Sequence, residues 1–194
     1  MGSKEKPLKI LVAGHFAAGK TTFVKTLSRI KTVETEKRTT LKEEKSKKES
    51  TTVAMDYGEY KTADGRKIHI FGIPGQERFS FMWPILAKNT VAFIVLIDST
   101  DTSRWYEVFK QINVFRKIAP DAPFIFVANK RDLPNALPLE EIKKKLKLPP
   151  NIKLLECVAT DEDSVLSVLE ETLKEVGNRS DNHSGEENKH LTPA

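Results

Sequence analysis

Short apolar runs and longer amphipathic stretches alternate along this chain. LKILVA at 8–13, VAFIVLI at 91–97, FIFVA at 124–128 and IKLLECV at 152–158 are dense in Val, Ile, Leu and Phe. Runs of this kind, without an inside–outside alternation, are expected of strands buried on both faces. Between and around them, the spacing predicts helices over Thr21 to Ile30, Arg78 to Lys88, Arg104 to Ile118, Leu139 to Leu146 and Glu162 to Val176. Strands alternating with helices imply right-handed crossovers and a parallel sheet covered on both sides. One unit departs from this pattern. VAMDYGEYKT and RKIHIFG are joined by ADG, an Asp-Gly hairpin signal, so one strand is expected to run antiparallel. The expected fold is α/β: about six strands, mostly parallel with one antiparallel, and helices on both faces.

The flanks and one long connection do not resemble core. Residues 1–7 read as a flexible N-terminus, 8–177 as the folded domain and 178–194 as a disordered polar tail. Lys31 to Ser50 is polar and charged throughout, far longer than the connections compact domains use, and such loops are functional or disordered. No run approaches the roughly 20 apolar residues of a membrane span, and no signal-peptide pattern opens the chain, so a cytoplasmic setting is expected. Gly2 follows Met1, but position 6 is Lys and the chain closes on LTPA, so no stable membrane anchor is expected. The single cysteine, Cys157, reads as a buried small hydrophobe. The net charge of +5 could suggest nucleic acid, but much of the excess sits in Lys37 to Lys48 and Lys143 to Lys147. Without aromatic interleaving these read as solvated faces, and no specific nucleic-acid binding is expected.

Two motifs carry chemistry. GHFAAGKT, Gly14 to Thr21, has the spacing G-x-x-x-x-G-K-T of a phosphate-binding loop, set between an apolar run and a helical one. Its glycines let the backbone wrap an anion with N–H groups turned inward, at the positive end of the following helix. Lys20 would then reach the β- and γ-phosphates, and the Thr21 hydroxyl would bind Mg²⁺. The bland reading is a Gly-containing turn with a chance Gly-Lys-Thr. NKRD, Asn129 to Asp132, follows FIFVA and so falls at the carboxyl end of a parallel strand, where such sheets bind ligands. A carboxylate at Asp132 can accept from guanine N1–H and its 2-amino group, which favours GTP over ATP. Asn129 would brace the loop, and the stem of Lys130 would cover a face of the base.

With these motifs in place, the chain resembles the Ras-like small GTPases over roughly residues 8 to 177, through GHFAAGKT, TVAMDY (Thr52 to Tyr57), PGQER (Pro74 to Arg78), NKRD and CVATD (Cys157 to Asp161). TTVAMDYG and FGIPGQERF look most like prokaryotic members, including bacterial polarity-switch GTPases that pair with roadblock-domain proteins. The resemblance implies nucleotide contacts from Gly14, Ala17, Ala18, Gly19, Lys20, Thr21 and Thr22, from Gly75, from Asn129, Lys130 and Asp132, and from Val158, Ala159 and Thr160. In particular, the Ala159 N–H would meet guanine O6. It also implies a catalytic set of Gln76, Lys20 and Thr52, with Thr21 and Thr52 holding Mg²⁺, and two switches, at about 31–52 and 75–88. The activity implied is a GTP/GDP switch with slow hydrolysis, stimulated by an activating protein, with the roadblock type as one candidate, and with an effector on the switch face. A GTP-binding scaffold with little turnover is the alternative, and a phosphate-transferring P-loop enzyme a third reading.

The departures matter as much as the matches. The family usually ends its third strand with D-x-x-G, whose Asp holds the metal through water. FGIPG places Gly72 there. Asp98 is the nearest spare carboxylate in the strand order, with a structural or capping role as its alternative. Arg38 and Arg78 could act as internal arginine fingers or simply lie on the surface. FSFMWPI, Phe79 to Ile85, is either a partner face or the packed side of a helix.

Overall fold

The computed structural model describes residues 5–30 and 55–187, with side chains to 182. In chain order the elements are β1 (Leu8–Gly14), α1 (Lys20–Arg29), β2 (Asp56–Lys61), β3 (Lys67–Gly72), a 3₁₀ helix (Glu77–Met82), α2 (Trp83–Ala87) and β4 (Ala92–Asp98). They continue with α3 (Tyr106–Ile118), β5 (Phe124–Asn129), α4 (Leu139–Leu146), β6 (Leu154–Glu156) and α5 (Glu162–Glu187). The six strands form one sheet in the order β2-β3-β1-β4-β5-β6. β2 pairs antiparallel with β3, and every other pairing is parallel.

The period of two explains why the strand runs are apolar throughout. Ile10 and Val12 of β1, with Ile94 and Leu96 of β4, face a core closed by Phe23, Val24 and Leu27 of α1 and by Val165, Val168 and Leu169 of α5. Leu11 and Ala13, with Phe93, Val95 and Ile97, face a second core closed by Trp83, by Val108, Ile112 and Phe115 of α3, and by Ile142 and Leu146 of α4. In the central strands nearly every residue is buried on one face or the other, so no polar alternation is left there, whereas the hairpin strand β3 alternates buried and part-exposed positions. Phe93 is central to the second core: its ring stacks on Phe115 at 4.7 Å and on Phe124 at 4.9 Å between centroids.

β1 has β3 on one side and β4 on the other, so the parallel strands step outward from it in opposite directions. The loops after β1, β3, β4, β5 and β6 therefore gather at one edge of the sheet, where open α/β sheets bind ligands.

Three expectations change in detail. The stretch Arg78 to Lys88 is not one helix: a 3₁₀ segment precedes α2, because Pro84 sits in the first turn of α2 and its ring cannot coexist with a continuing α-helix before it. The last strand is shorter than 152–158. The tail expected to be disordered from 178 is helical to Glu187, and residues 188–194 lie outside the described residues, as do 1–4 and 31–54. Extending a helix whose stem is already packed adds one hydrogen bond per residue without a new nucleus, and Gly177 weakens it by only about 1 kcal/mol. Arg179 also donates to the Asp121 carbonyl at 2.9 Å, which ties this extension to the domain.

Removing the central ring should be costly. Phe93→Ala is expected to destabilise the domain by about 3–5 kcal/mol, read by equilibrium urea denaturation, whereas Phe124→Ala at the partly exposed neighbour costs less.

Candidate functional site

The phosphate-type loop is held by its own backbone conformation and by side chains from distant elements. Gly14 has φ +146, and a Cβ there would lie 2.5 Å from the Leu96 carbonyl oxygen. Gly19 has φ +103, and a Cβ there would run into the Asn129 amide. Both glycines are therefore required on conformational and steric grounds. Ala17 takes φ +64 without being glycine, at a cost on the order of 1–2 kcal/mol.

Gln111, fully buried on α3, brackets the Gly14 peptide: its Oε1 accepts the Gly14 N–H at 3.0 Å and its Nε2 donates to the Gly14 carbonyl at 2.9 Å. His15 is buried, and its Nε2 accepts the Asp98 N–H at 3.1 Å. The proton must therefore be on Nδ1, which donates to the Phe16 carbonyl at 2.9 Å. Burial, aided by the Lys20 charge, keeps the His15 pKa below its ordinary value, so the ring is a neutral strut.

Lys20 opens α1, and its Nζ donates to the carbonyls of Gly14 at 2.9 Å and His15 at 2.6 Å. Gly75, after β3, closes over it so tightly that a Cβ there would lie 2.7 Å from Nζ. Burial pulls the Lys20 pKa down to about 8, against the opposing pull of Asp56 and Glu107. The Thr21 hydroxyl donates to Asp56 Oδ2 at 2.6 Å.

The loop after β5 is bolted to the phosphate-type loop. Asn129 Nδ2 donates to the Ala18 carbonyl at 2.9 Å, and Lys130 Nζ donates to the Ala17 carbonyl at 3.0 Å. Asn129 thus braces the loop as expected. Lys130, at φ +62, is also paired to Asp98 Oδ2 at 2.6 Å. Burial alone would raise the Asp98 pKa, but hydrogen bonds from Lys130 and Thr100 outweigh it and hold the carboxyl below its usual range. Asp98 Oδ1 accepts the Thr100 N–H at 2.9 Å, so Asp98 has the structural and capping role.

The loop after β6 is fixed from two sides. The Ala159 N–H donates to Asn129 Oδ1 at 3.0 Å, and the Ala159 carbonyl accepts the Thr26 hydroxyl at 2.6 Å. The expected contact of Ala159 with guanine O6 would have to share or exchange this N–H, which Asn129 engages in this structure. The Val158 N–H is held by Ser164 Oγ at 2.9 Å. Cys157 is buried, and burial raises its thiol pKa to about 11, as suits a packed hydrophobe.

Of the expected residues, Ala17, Gly19, Lys20, Thr21, Thr22, Gly75, Gln76 and Lys130 line one open cleft of about 570 Å³. Gly14, Ala18 and Asn129 are buried beside it. Asp132, Val158 and Thr160 stand on the neighbouring loops at the same sheet edge and do not line that cleft. Gln76 precedes the 3₁₀ helix, and its Oε1 accepts Arg78 Nε at 2.7 Å while Arg78 stacks over Phe79. Thr52, Arg38 and the first switch lie outside the described residues. Within Phe79 to Ile85, Trp83 is packed, buried and donating to the Pro74 carbonyl at 3.0 Å, while Phe81 and Ile85 are exposed, at 66% and 65%. Sequence reasoning missed Gln111, Asp56 and Ser164.

A Gly-rich loop, a lysine held over it and an Asn-Lys loop locked to it define a P-loop nucleotide-binding domain of the Ras-like type. The ADP-ribosylation factor family matches residues 1–176, and the chain belongs to that family of Ras-like small GTPases. The match does not single out the prokaryotic branch. ADP-ribosylation factor-like protein 4C of Homo sapiens is 35% identical over 89 residues, 45% of this chain and 46% of that protein. Ras-related protein Rab-5B of Plasmodium falciparum is 28% identical over 122 residues, 62% of this chain and 58% of that protein. The chain spans about half the length of the curated relatives it matches. In fold it is similar to the Arl6 BBS3 small GTPase of Trypanosoma brucei with bound nucleotide analogue GppNp, at TM-score 0.68 and 18% identity, over 90% of this chain and 99% of that one. Members of the family bind GTP and GDP, hydrolyse GTP and work with activating and effector proteins.

A lowered Lys20 pKa has a measurable consequence. Phosphate oxygens favour the charged amine, so binding a nucleotide raises that pKa and takes up a proton. Affinity should be constant below about pH 8 and fall as pH rises through it, by up to about tenfold per unit. Calorimetry of GDP binding at pH 8 in buffers of different ionisation enthalpy reads the uptake directly. Lys20→Ala is expected to abolish tight binding.

Proposed function

We propose that this chain is a GTP/GDP switch that hydrolyses GTP slowly on its own and is accelerated by a partner protein. The observation that carries the reading is the pair of bonds from Asn129 and Lys130 to the carbonyls of Ala18 and Ala17. They fix the loop bearing Asp132 relative to the loop bearing Lys20, so base recognition and phosphate recognition act on one ligand. Asp132 accepts from the guanine edge, and Lys20 meets the β- and γ-phosphates.

Mg²⁺ belongs to the proposal. Among the described residues no group of three or more His, Cys, Asp or Glu could hold a metal. Mg²⁺ on a nucleotide, however, needs few protein oxygens beside the phosphates, and the Thr21 hydroxyl in the cleft fits that demand, with Thr52 as the second expected oxygen. When bound, Mg²⁺ neutralises charge on the β- and γ-oxygens.

Slow intrinsic turnover follows from where Gln76 is held. Its role is to orient the attacking water, but its oxygen is occupied by Arg78, and Arg78 is thereby turned to Gln76 and Phe79. A partner that docks on exposed Phe81 and Ile85 could reset this segment and release Gln76. By the sequence resemblance that activator is of roadblock type. The proposal includes a cytoplasmic setting and no specific nucleic acid. Among the described residues no helix is long and apolar enough to cross a membrane.

Purified protein should bind GDP and GTP far more tightly than ADP and ATP, and Asp132→Asn should shift the preference towards xanthine nucleotides by exchanging an acceptor for a donor. Equal affinity for ATP and GTP would end the reading. Single-turnover hydrolysis should run at about 10⁻³ per second or less, and Gln76→Ala should change that basal rate little while removing the acceleration by a partner. A scaffold without turnover would show no hydrolysis in either protein.

A further inference from the structure

Gly72 ends β3, where the sequence resemblance leads one to expect a carboxylate. The residue facing it across the hairpin is Asp56, whose Cα pairs with that of Gly72 in the antiparallel register. A Cβ added at Gly72 would lie 3.1 Å from the Asp56 Cβ and 3.2 Å from its Oδ2. The Asp56 side chain thus occupies the space a side chain at position 72 would need, and the two positions hold one carboxylate between them.

That carboxylate is aimed into the cleft. Its Oδ2 accepts the Thr21 hydroxyl proton at 2.6 Å, which leaves the lone pairs of the Thr21 oxygen to face elsewhere. Among the described residues lining the cleft, Asp56 is the one acidic side chain. The other carboxylates near the loop have different work. Asp98 is paired to Lys130 and accepts from Thr100. Glu107, on α3, lines the neighbouring depression with Arg104 and Lys110, and its Oε1 accepts from Arg104 at 3.3 Å.

We propose that Asp56 is the outer carboxylate of the metal site: it orients the Thr21 hydroxyl towards Mg²⁺ and accepts from the metal's water, the task assigned in D-x-x-G relatives to the residue at position 72. The carboxylate has moved from the end of one strand to the start of its antiparallel neighbour. This rests on the GTP/GDP and Mg²⁺ reading above, and it names the residue that completes that site. Asp56 is a positioning residue, since it acts through Thr21 and through water.

The test is the Mg²⁺ sensitivity of nucleotide release. Protein loaded with fluorescent GDP is diluted into excess GDP with Mg²⁺ or with EDTA, and the ratio of the two release rates is taken. In the wild type EDTA should accelerate release. Asp56→Asn keeps the size and the acceptor for Thr21 but removes the charge, and the ratio should fall about tenfold or more. Mn²⁺ affinity of the GDP complex, read by electron paramagnetic resonance, should weaken in parallel. Asp56→Gly should behave like Asp56→Asn, and the exchange Asp56→Gly with Gly72→Asp should recover the ratio, because the carboxylate returns from the neighbouring strand to the same space. An Asp56→Asn protein with wild-type ratio and Mn²⁺ affinity overturns the inference while leaving the GTP/GDP switch intact. A wild-type protein that releases GDP equally fast with and without Mg²⁺ overturns the metal reading itself, and this inference with it.

Discussion

The Gly14 peptide is the point on which the sheet edge depends. Its N–H and carbonyl are both engaged by Gln111, its carbonyl also accepts from Lys20, and the absence of a Cβ lets it pass against the Leu96 backbone. A buried network of this kind is favourable only when every member is satisfied, since an orphaned amide in the interior costs about 1–3 kcal/mol. Its placement comes from apolar packing. Val108, Ile112 and Phe115 seat α3 on the sheet, and that seating presents Gln111 to Gly14. The phosphate-type loop is thereby held from behind by a helix that contributes no residue to the motif. Changes at the α3 interface would be felt at Lys20, whose donors rest on the carbonyls of the same loop.

What could be read from the sequence was what contiguous residues decide. Strands with both faces buried announce themselves as unbroken apolar runs, the Asp-Gly turn fixes a hairpin, and an anion-wrapping loop needs its glycines and lysine at set spacings. Gln111, Ser164 and the neutral His15 could not be read this way, because each acts on residues of another element. Gln111 did leave a trace, as an amide among Val108, Ile112 and Phe115 on the apolar stripe of α3. Asp56 left a clearer one. Counting back from the turn, Lys61 pairs with Lys67 and the register carries Asp56 to Gly72, so the position opposite the missing carboxylate was fixed once the hairpin was recognised. The helical continuation beyond Val176 is not legible for a different reason: polarity signals a lack of core contacts, but a helix already anchored at Val165, Val168 and Leu169 needs no further core to propagate.

The same packing logic marks out which segment can move. The 3₁₀ helix Glu77–Met82 contains no buried residue, whereas its flanks are fixed. On one side Gly75 lies against the Lys20 ammonium, and on the other Trp83 is buried and bonded back to the Pro74 carbonyl. The Trp83 bond closes residues 75–82 into a loop with both ends tethered and an interior that has little to lose on rearranging. Local opening free energy follows buried apolar contact, so this loop belongs to the low-stability end of the domain. Gln76 sits in that loop and Lys20 touches its start. On this geometry a rearrangement at the phosphate end would meet Gly75 first and then Gln76 and Arg78, with Trp83, buried and bonded to the Pro74 carbonyl, as the fixed far end.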